Sequence, residues 1–74
     1  MNDTWLILEY YHLYRNPEGH RILSRLPQGP DIVYDWAMES YLIRPNSAAH
    51  TIALLAGFTD FLYTTARITF DEQH

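Results

Sequence analysis

The sequence contains no cysteine and no lysine, and its 74 residues include only three glycines. The lack of cysteine excludes disulfide bonds and thiolate metal sites, and it fits a reducing compartment best. Because all five basic residues are arginines, the usual lysine-based attraction to phosphate is missing. The scattered glycines provide no phosphate-cradling loop. Direct nucleic-acid binding is therefore ranked last among the function classes.

Long apolar runs are also lacking. No stretch reaches the roughly 18 consecutive apolar residues of a membrane span, and no basic segment followed by an apolar core indicates a signal peptide. The length favours one domain over residues 1–74. We therefore expect a cytoplasmic protein with no membrane association.

Hydrophobic side chains, by contrast, are plentiful. They make up 47% of the residues, and aromatic residues alone make up 15%. A domain of this size has a limited interior, so some apolar side chains are expected to stay at the surface. A contiguous exposed apolar patch would mark an interface. The net charge of -4 is modestly acidic.

The N-terminal third predicts a β-hairpin over about residues 4–26. The segment TWLILEYYHLYR (4–15) is rich in residues that favour strands. Asn16, Pro17 and Gly19 then suit a type I turn followed by a bulge. The alternative is that Asn16 and Pro17 open a helix, but Gly19 would then lie inside its first turn, and we favour the hairpin.

The register of this hairpin predicts a candidate partner-binding surface. All the charged side chains of the two strands fall on one face, which should be the outer one. Eight residues of this face are the candidates: Trp5, Ile7, Tyr11, Leu13, Arg15, Arg21, Leu23 and Arg25. Tryptophan, tyrosine and arginine are the types most enriched at interface hot spots. Two alternatives remain: the faces are reversed, or the arginine stems simply cover the tyrosine.

The segment DIVYDWAMESYLIR (31–44) predicts a helix, because Pro30 or Asp31 lies near its start and Pro45 lies just beyond its end. Asp31, Asp35 and Glu39 follow at intervals of four and would form an acidic edge on this helix. That edge is a secondary candidate surface, which would present negative charge to a basic partner.

The C-terminal part predicts a second helix and a last strand. Residues 45–58 have a capping residue in Asn46 or Ser47, and Gly57 with Phe58 fits a Schellman close. The segment FLYTTARITF (61–70) alternates apolar and polar residues, which favours a strand over a continuous helix from 47 to about 66. The predicted fold is α+β: a β-hairpin, two helices and a C-terminal strand (ββααβ), with a small antiparallel sheet covered by helices on one face.

No combination of residues predicts catalysis, a metal site or a cofactor. No serine lies in a Gly-x-Ser-x-Gly elbow, and no histidine has a second ligand at a helical spacing of four. A small enzyme or metal-binding module around His12, His20 and His50 would require a different strand register. We therefore expect a non-enzymatic protein.

These observations favour a small non-catalytic protein-binding domain. It would act as an inhibitor or accessory factor that masks a surface on a larger protein. Its profile is similar to that of counter-defence proteins of phages and mobile elements, such as anti-CRISPR proteins, and to that of immunity proteins and antitoxins. The alternative is a structural or regulatory homodimer that pairs through the same hairpin face.

Overall fold

A computed structural model describes residues 3–66 of the chain. It has an α+β architecture in which three helices accompany a small antiparallel four-stranded sheet of order β2-β3-β1-β4. The elements are β1 Asp3–Glu9, α1 Tyr10–Arg15, α2 Pro17–Ser24, β2 Ile32–Asp35, β3 Ser40–Ile43, α3 Ala48–Leu55 and β4 Leu62–Ala66. The predicted fold class is confirmed, but the order of the elements is only roughly the predicted ββααβ.

The predicted N-terminal hairpin is wrong, because only its first strand forms. β1 ends at Glu9, and residues 10–24 form α1 and α2. The Asn16 side chain accepts a hydrogen bond from the Gly19 N–H at 3.0 Å, which caps α2, and Pro17 occupies its first position, where its missing N–H costs nothing. Asn-Pro therefore opens a helix, the alternative that the hairpin interpretation had set aside.

Gly19 is needed for packing between helices and not for a turn. It is buried in the first turn of α2. A Cβ atom there would lie 2.7 Å from the Phe58 ring and 2.9 Å from the carbonyl oxygen of Ala56. The glycine thus lets α2 approach the end of α3.

The predicted helix over 31–44 is also wrong, since this segment forms the β2–β3 hairpin. Tyr34 pairs with Tyr41 across the two strands. The Asp35 carboxylate accepts the N–H groups of Ala37 at 2.9 Å and Met38 at 3.2 Å, and Glu39 has the left-handed φ of 51°. These features close the turn. Stretches of Val, Ile and Tyr pack well on a pleated surface.

The predicted acidic helix edge is lost with that helix. Asp31 precedes β2, with its carboxylate 3.8 Å from the Arg44 guanidinium. Asp35 ends β2, and Glu39 lies in the turn. The three carboxylates do not follow one another along a single helix edge.

The last helix and strand are confirmed. Ser47 caps α3 by accepting the His50 N–H at 3.1 Å. At the other end, the Phe58 N–H donates to the Ala53 carbonyl and Gly57 has a φ of 101°, as a Schellman close requires. β4 covers 62–66 of the predicted strand over 61–70, and positions 67–70 lie outside the described residues.

The main core lies between the helices and one face of the sheet. Its buried members are Leu6, Leu8, Leu13, Leu23, Ile32, Tyr41, Ile43, Ala49, Ala53 and Phe58. On the opposite face, Trp5, Ile7 and Leu42 form a smaller buried cluster, and the Arg44 guanidinium lies 4.4 Å from the centre of the Trp5 ring. The alternation predicted for β1 is therefore present, but both of its faces are buried.

Candidate partner-binding site

The structure does not bring the eight sequence-predicted residues together on one exposed face. Trp5, Leu13 and Leu23 are fully buried, and Ile7 is nearly so. Leu13 and Leu23 point into the main core because a helical period, not a strand period, places them. The prediction that these eight residues share the outer face of a hairpin is therefore wrong.

The four remaining candidates are exposed. Arg15 donates a hydrogen bond to the Tyr11 hydroxyl at 3.0 Å and lies over the Tyr11 ring, and Arg21 forms an ion pair with Glu18. Exposed pairs of this kind contribute little to stability. Whether these residues contact a partner stays a prediction.

A different exposed surface is present beside the β2–β3 turn, and we call its first part the aromatic groove. It has a volume of about 330 Å³ and is lined by Tyr10, His20, Ser24, Gln28, Tyr34, Trp36 and Tyr41. Cross-strand pairing places Tyr34 beside Tyr41 on the helix side of the sheet, and α2 brings His20 within 6.0 Å of the Tyr41 ring. Trp36 follows the end of β2 and is 80% exposed.

A second depression, the adjoining groove, continues from the first. It has a volume of about 520 Å³ and is lined by Glu9, Tyr10, Tyr11, Tyr14, Met38 and Glu39. Tyr10 lines both grooves and therefore joins them. Tyr14 is 72% exposed and Met38 is 50% exposed in this groove. The two grooves together are lined by five of the ten large hydrophobic side chains that are exposed among the described residues.

Three hydrogen bonds, each with a backbone group on at least one side, connect the elements around this surface. The Tyr10 N–H donates to the Glu39 carbonyl at 2.8 Å, which ties the start of α1 to the hairpin turn. The Tyr34 N–H donates to the Gln28 side-chain oxygen at 3.1 Å. Inside the turn, the Ser40 hydroxyl donates to the Met38 carbonyl at 2.9 Å. A surface tied down in this way loses little entropy when a partner binds.

The grooves combine neutral aromatic rings with acidic groups. Burial, and then the Glu39 carboxylate, raise the pKa of Tyr34 above its ordinary value of 10.0. Burial, and then Tyr34, raise the pKa of Tyr41 in the same direction. Both phenols are therefore uncharged near neutral pH. The formal charges among the lining residues belong to Glu9 and Glu39, and no arginine of the described residues lines either groove.

Residues 3–66 contain no group of three or more histidine, aspartate or glutamate side chains that could hold a metal ion. The three histidines of the metal hypothesis lie on three different helices. His12 contacts the Tyr11 ring, His20 contacts Tyr41, and His50 accepts the Asn46 N–H at its Nδ1 atom. Among the same residues, no helix has the length and apolar character needed to cross a membrane.

Sequence reasoning missed the residues that form the aromatic groove because it placed 31–44 in a helix. A usable signal was present: two short apolar runs, IVY and YLI, flank the polar residues Asp35, Glu39 and Ser40, which is also the pattern of a hairpin. Of the predicted candidates, Tyr11 and Glu39 do line the adjoining groove.

No protein-family model, curated protein or solved structure matches this chain.

Proposed function

We propose that this protein is a non-catalytic protein-binding domain that uses the surface of the two grooves to cover part of a larger protein. The supporting observation is that Tyr10, Tyr14, Trp36 and Met38 are exposed together around two adjoining grooves. Tyrosine, tryptophan and methionine are enriched in interfaces. Soluble proteins rarely expose contiguous apolar patches unless the patch contacts something.

The proposed mode of action is masking, as an inhibitor or accessory factor. A chain of 74 residues with a preformed apolar surface can block a site on a larger protein without any chemistry of its own. We place this activity in the cytoplasm, where a cysteine-free domain needs no oxidising environment. Counter-defence proteins of phages and mobile elements, including anti-CRISPR proteins, and immunity proteins or antitoxins have this profile.

Photo-crosslinking tests the proposal at a single position. Trp36 would be replaced by benzoylphenylalanine in the full chain, which would then be irradiated in a host-cell lysate. Leu55 provides a matched control, because it is 83% exposed against 80% for Trp36 and does not line either groove. The first prediction is a discrete crosslinked product with a larger protein from position 36 and no product with a larger protein from position 55. A product from position 55 with twice the mass of the chain would belong to the homodimer surface described below and would not count against the grooves.

Two results of this crosslinking experiment would contradict the proposal. Equal labelling from positions 36 and 55 would indicate non-specific collisions and would contradict the proposal, as would the absence of any product from position 36. A product of twice the mass of the chain would instead identify a second copy as the partner.

The homodimer remains a second candidate because of a separate exposed apolar set. Leu54, Leu55, Leu62 and Tyr63 are exposed near the end of α3 and along β4. β4 is an edge strand of the sheet over the described residues, and unpaired strand edges can pair with another chain. The molar mass in solution from light scattering distinguishes the dimer from a monomeric inhibitor.

A further inference from the structure

The rings of the aromatic groove contact one another edge to face and are not stacked in parallel. The Tyr34 ring is 4.6 Å from Trp36 and 4.9 Å from Tyr41, with interplanar angles of 74° and 73°. His20 meets Tyr41 at a similar angle. The face of an aromatic ring carries partial negative charge, so a ring face that is open to the groove attracts a cation. Trp36, which is 80% exposed, has the most open ring of this set.

The charged side chains that line the adjoining groove are acidic, which favours binding of a cation. The Glu39 carboxylate is close enough to Tyr34 to raise its pKa, and Glu9 lies in the same adjoining groove. The chain has no lysine, and no arginine of residues 3–66 lines the space. Among the described residues, the formally charged side chains that line the grooves are therefore acidic, and the nearby Arg15 lies over the ring of Tyr11 only as a neighbour of a lining residue.

Glu39 occupies its position at a conformational cost. Its φ of 51° lies in the left-handed region, where glycine or asparagine would be less strained. Residues with a strained backbone of this kind cluster at binding and catalytic sites. A carboxylate in place of the less strained residue fits a role in binding.

We propose that the aromatic groove binds the guanidinium group of an arginine presented by a basic segment of the partner protein. This inference rests on the proposed function and specifies the chemistry of the partner. A planar guanidinium can lie against the ring of Trp36 or Tyr34. Glu39 lines the adjoining groove, which meets the aromatic groove at Tyr10, and its carboxylate could accept the N–H groups of a guanidinium bound where the two grooves join. An ammonium is more strongly hydrated and has no flat face, so arginine fits the groove better than lysine.

The acidic rim argues against nucleic acid as the occupant. Bases can stack on aromatic rings, but binding of the strand also requires cations that follow the phosphates. The lining residues of the two grooves contain carboxylates instead. Binding of an oligonucleotide at this site would therefore overturn the inference.

The test is a titration of the full chain with the peptide acetyl-Gly-Arg-Gly-amide, followed by NMR. The control peptide carries citrulline, a neutral side chain of the same shape, in place of arginine. We expect the arginine peptide to shift the Trp36 indole N–H resonance and to bind about three- to tenfold more tightly than the citrulline peptide, as a cation–π contact with a nearby carboxylate implies. Added salt should reduce this difference.

Three variants locate the binding site. Trp36→Ala and Glu39→Gln should each weaken binding of the arginine peptide about threefold or more, whereas Leu55→Ala, outside the grooves, should leave it unchanged. Circular dichroism confirms that each variant is folded. A fourth titration, with a short single-stranded oligonucleotide, tests the competing occupant.

Several results would overturn the inference: equal binding of both peptides, resonance shifts away from the groove, no effect of Glu39→Gln, or stronger binding of the oligonucleotide. The proposed function fails separately. If position 36 still crosslinks to a larger protein while the arginine peptide does not bind, the surface is an interface for an uncharged or acidic segment. If neither occurs, both ideas are wrong.

Discussion

Asn16 joins two helices through a single side chain. Its oxygen accepts the Gly19 N–H at the start of α2, and its Nδ2 atom donates to the Ala56 carbonyl at 2.8 Å, at the end of α3. It therefore satisfies one free donor and one free acceptor of two helix ends. The contact requires α2 and α3 to come close, and Gly19 is the residue that permits it.

Because of this close packing, we predict that Gly19→Ala lowers the free energy of unfolding. The added Cβ would lie 2.7 Å from both Asn16 Nδ2 and the Phe58 ring. Overpacking costs about 1–3 kcal/mol, which should exceed the gain of at most about 1 kcal/mol in helix propensity. Urea denaturation measures the change.

The control is Gly29→Ala, because nothing lies within 4 Å of a Cβ atom at Gly29. That variant should stay within about 0.5 kcal/mol of the native chain. Equal stability of the two variants would show that the contact between α2 and α3 is looser than described.

At the scale of elements, the predictable parts of the fold are those with unambiguous local signals. Ser47 marks the start of α3 as its N-cap, and Gly57 marks its end. Because both signals are local in sequence, this helix could be predicted without knowing which elements pack against it. The strand after it also had a clear alternation. The predicted fold class followed from these elements together with β1.

The segment 31–44 could not be assigned in this way, because its apolar residues fit a helical stripe and also fit two short buried strands. What decides between them is distant in sequence: β3 pairs with β1 through Leu8 and Tyr41 and with β2 through Tyr34 and Tyr41. Tertiary pairing thus overrides the local pattern. The candidate site was missed for the same reason, since its tyrosines meet only when these strands pair.

At this scale we predict that Glu39→Gly stabilises the β2–β3 hairpin. The left-handed backbone costs an L-residue roughly 1–2 kcal/mol, and the extra freedom of glycine in the unfolded chain takes back about 0.5–1 kcal/mol. These terms leave a net gain of up to about 1.5 kcal/mol in the free energy of unfolding, with a midpoint of about 0.8 kcal/mol. Urea denaturation measures it.

Ala37→Gly in the same turn is the comparison, because Ala37 does not have a positive φ. Glycine there should lower stability by about 0.5 kcal/mol or more. A loss of stability in Glu39→Gly would mean that the carboxylate contributes more to the fold than its backbone strain costs.

The molecule as a whole is small, so its folding free energy is expected to be low. A chain of this length is expected to have roughly 4–11 kcal/mol of folding free energy. All three helices contribute to one core against the sheet, and α1 contributes a single fully buried side chain, Leu13. The anchoring of α1, and with it the position of Tyr10 and Tyr14, depends on that residue.

We therefore predict that Leu13→Glu abolishes folding. Truncation of a core leucine alone costs about 2–5 kcal/mol, and a carboxylate in its place is unpaired in an apolar interior, which adds a further penalty. Circular dichroism should show loss of the cooperative thermal transition. A folded Leu13→Glu chain would show that α1 is not part of the core.

Leu55→Glu is the matched variant at the surface. Because Leu55 is 83% exposed, this variant should fold with stability within about 0.5 kcal/mol of the native chain. The pair separates the effect of the buried position from the effect of the glutamate itself.

The order of the strands in the sheet means that β1 is synthesised well before one of its two partners. β1 occupies an inner position, and its partner on one side is β4, with Asp3 opposite Ala66 and Ile7 opposite Leu62. The ribosome makes β1 before β4, so one edge of this inner strand stays open until residues 62–66 have emerged. Such an edge is a template for pairing with other chains, and closing it requires contacts between distant residues, which form slowly. The nascent chain is therefore exposed to aggregation along this edge of β1 until β4 has paired with it.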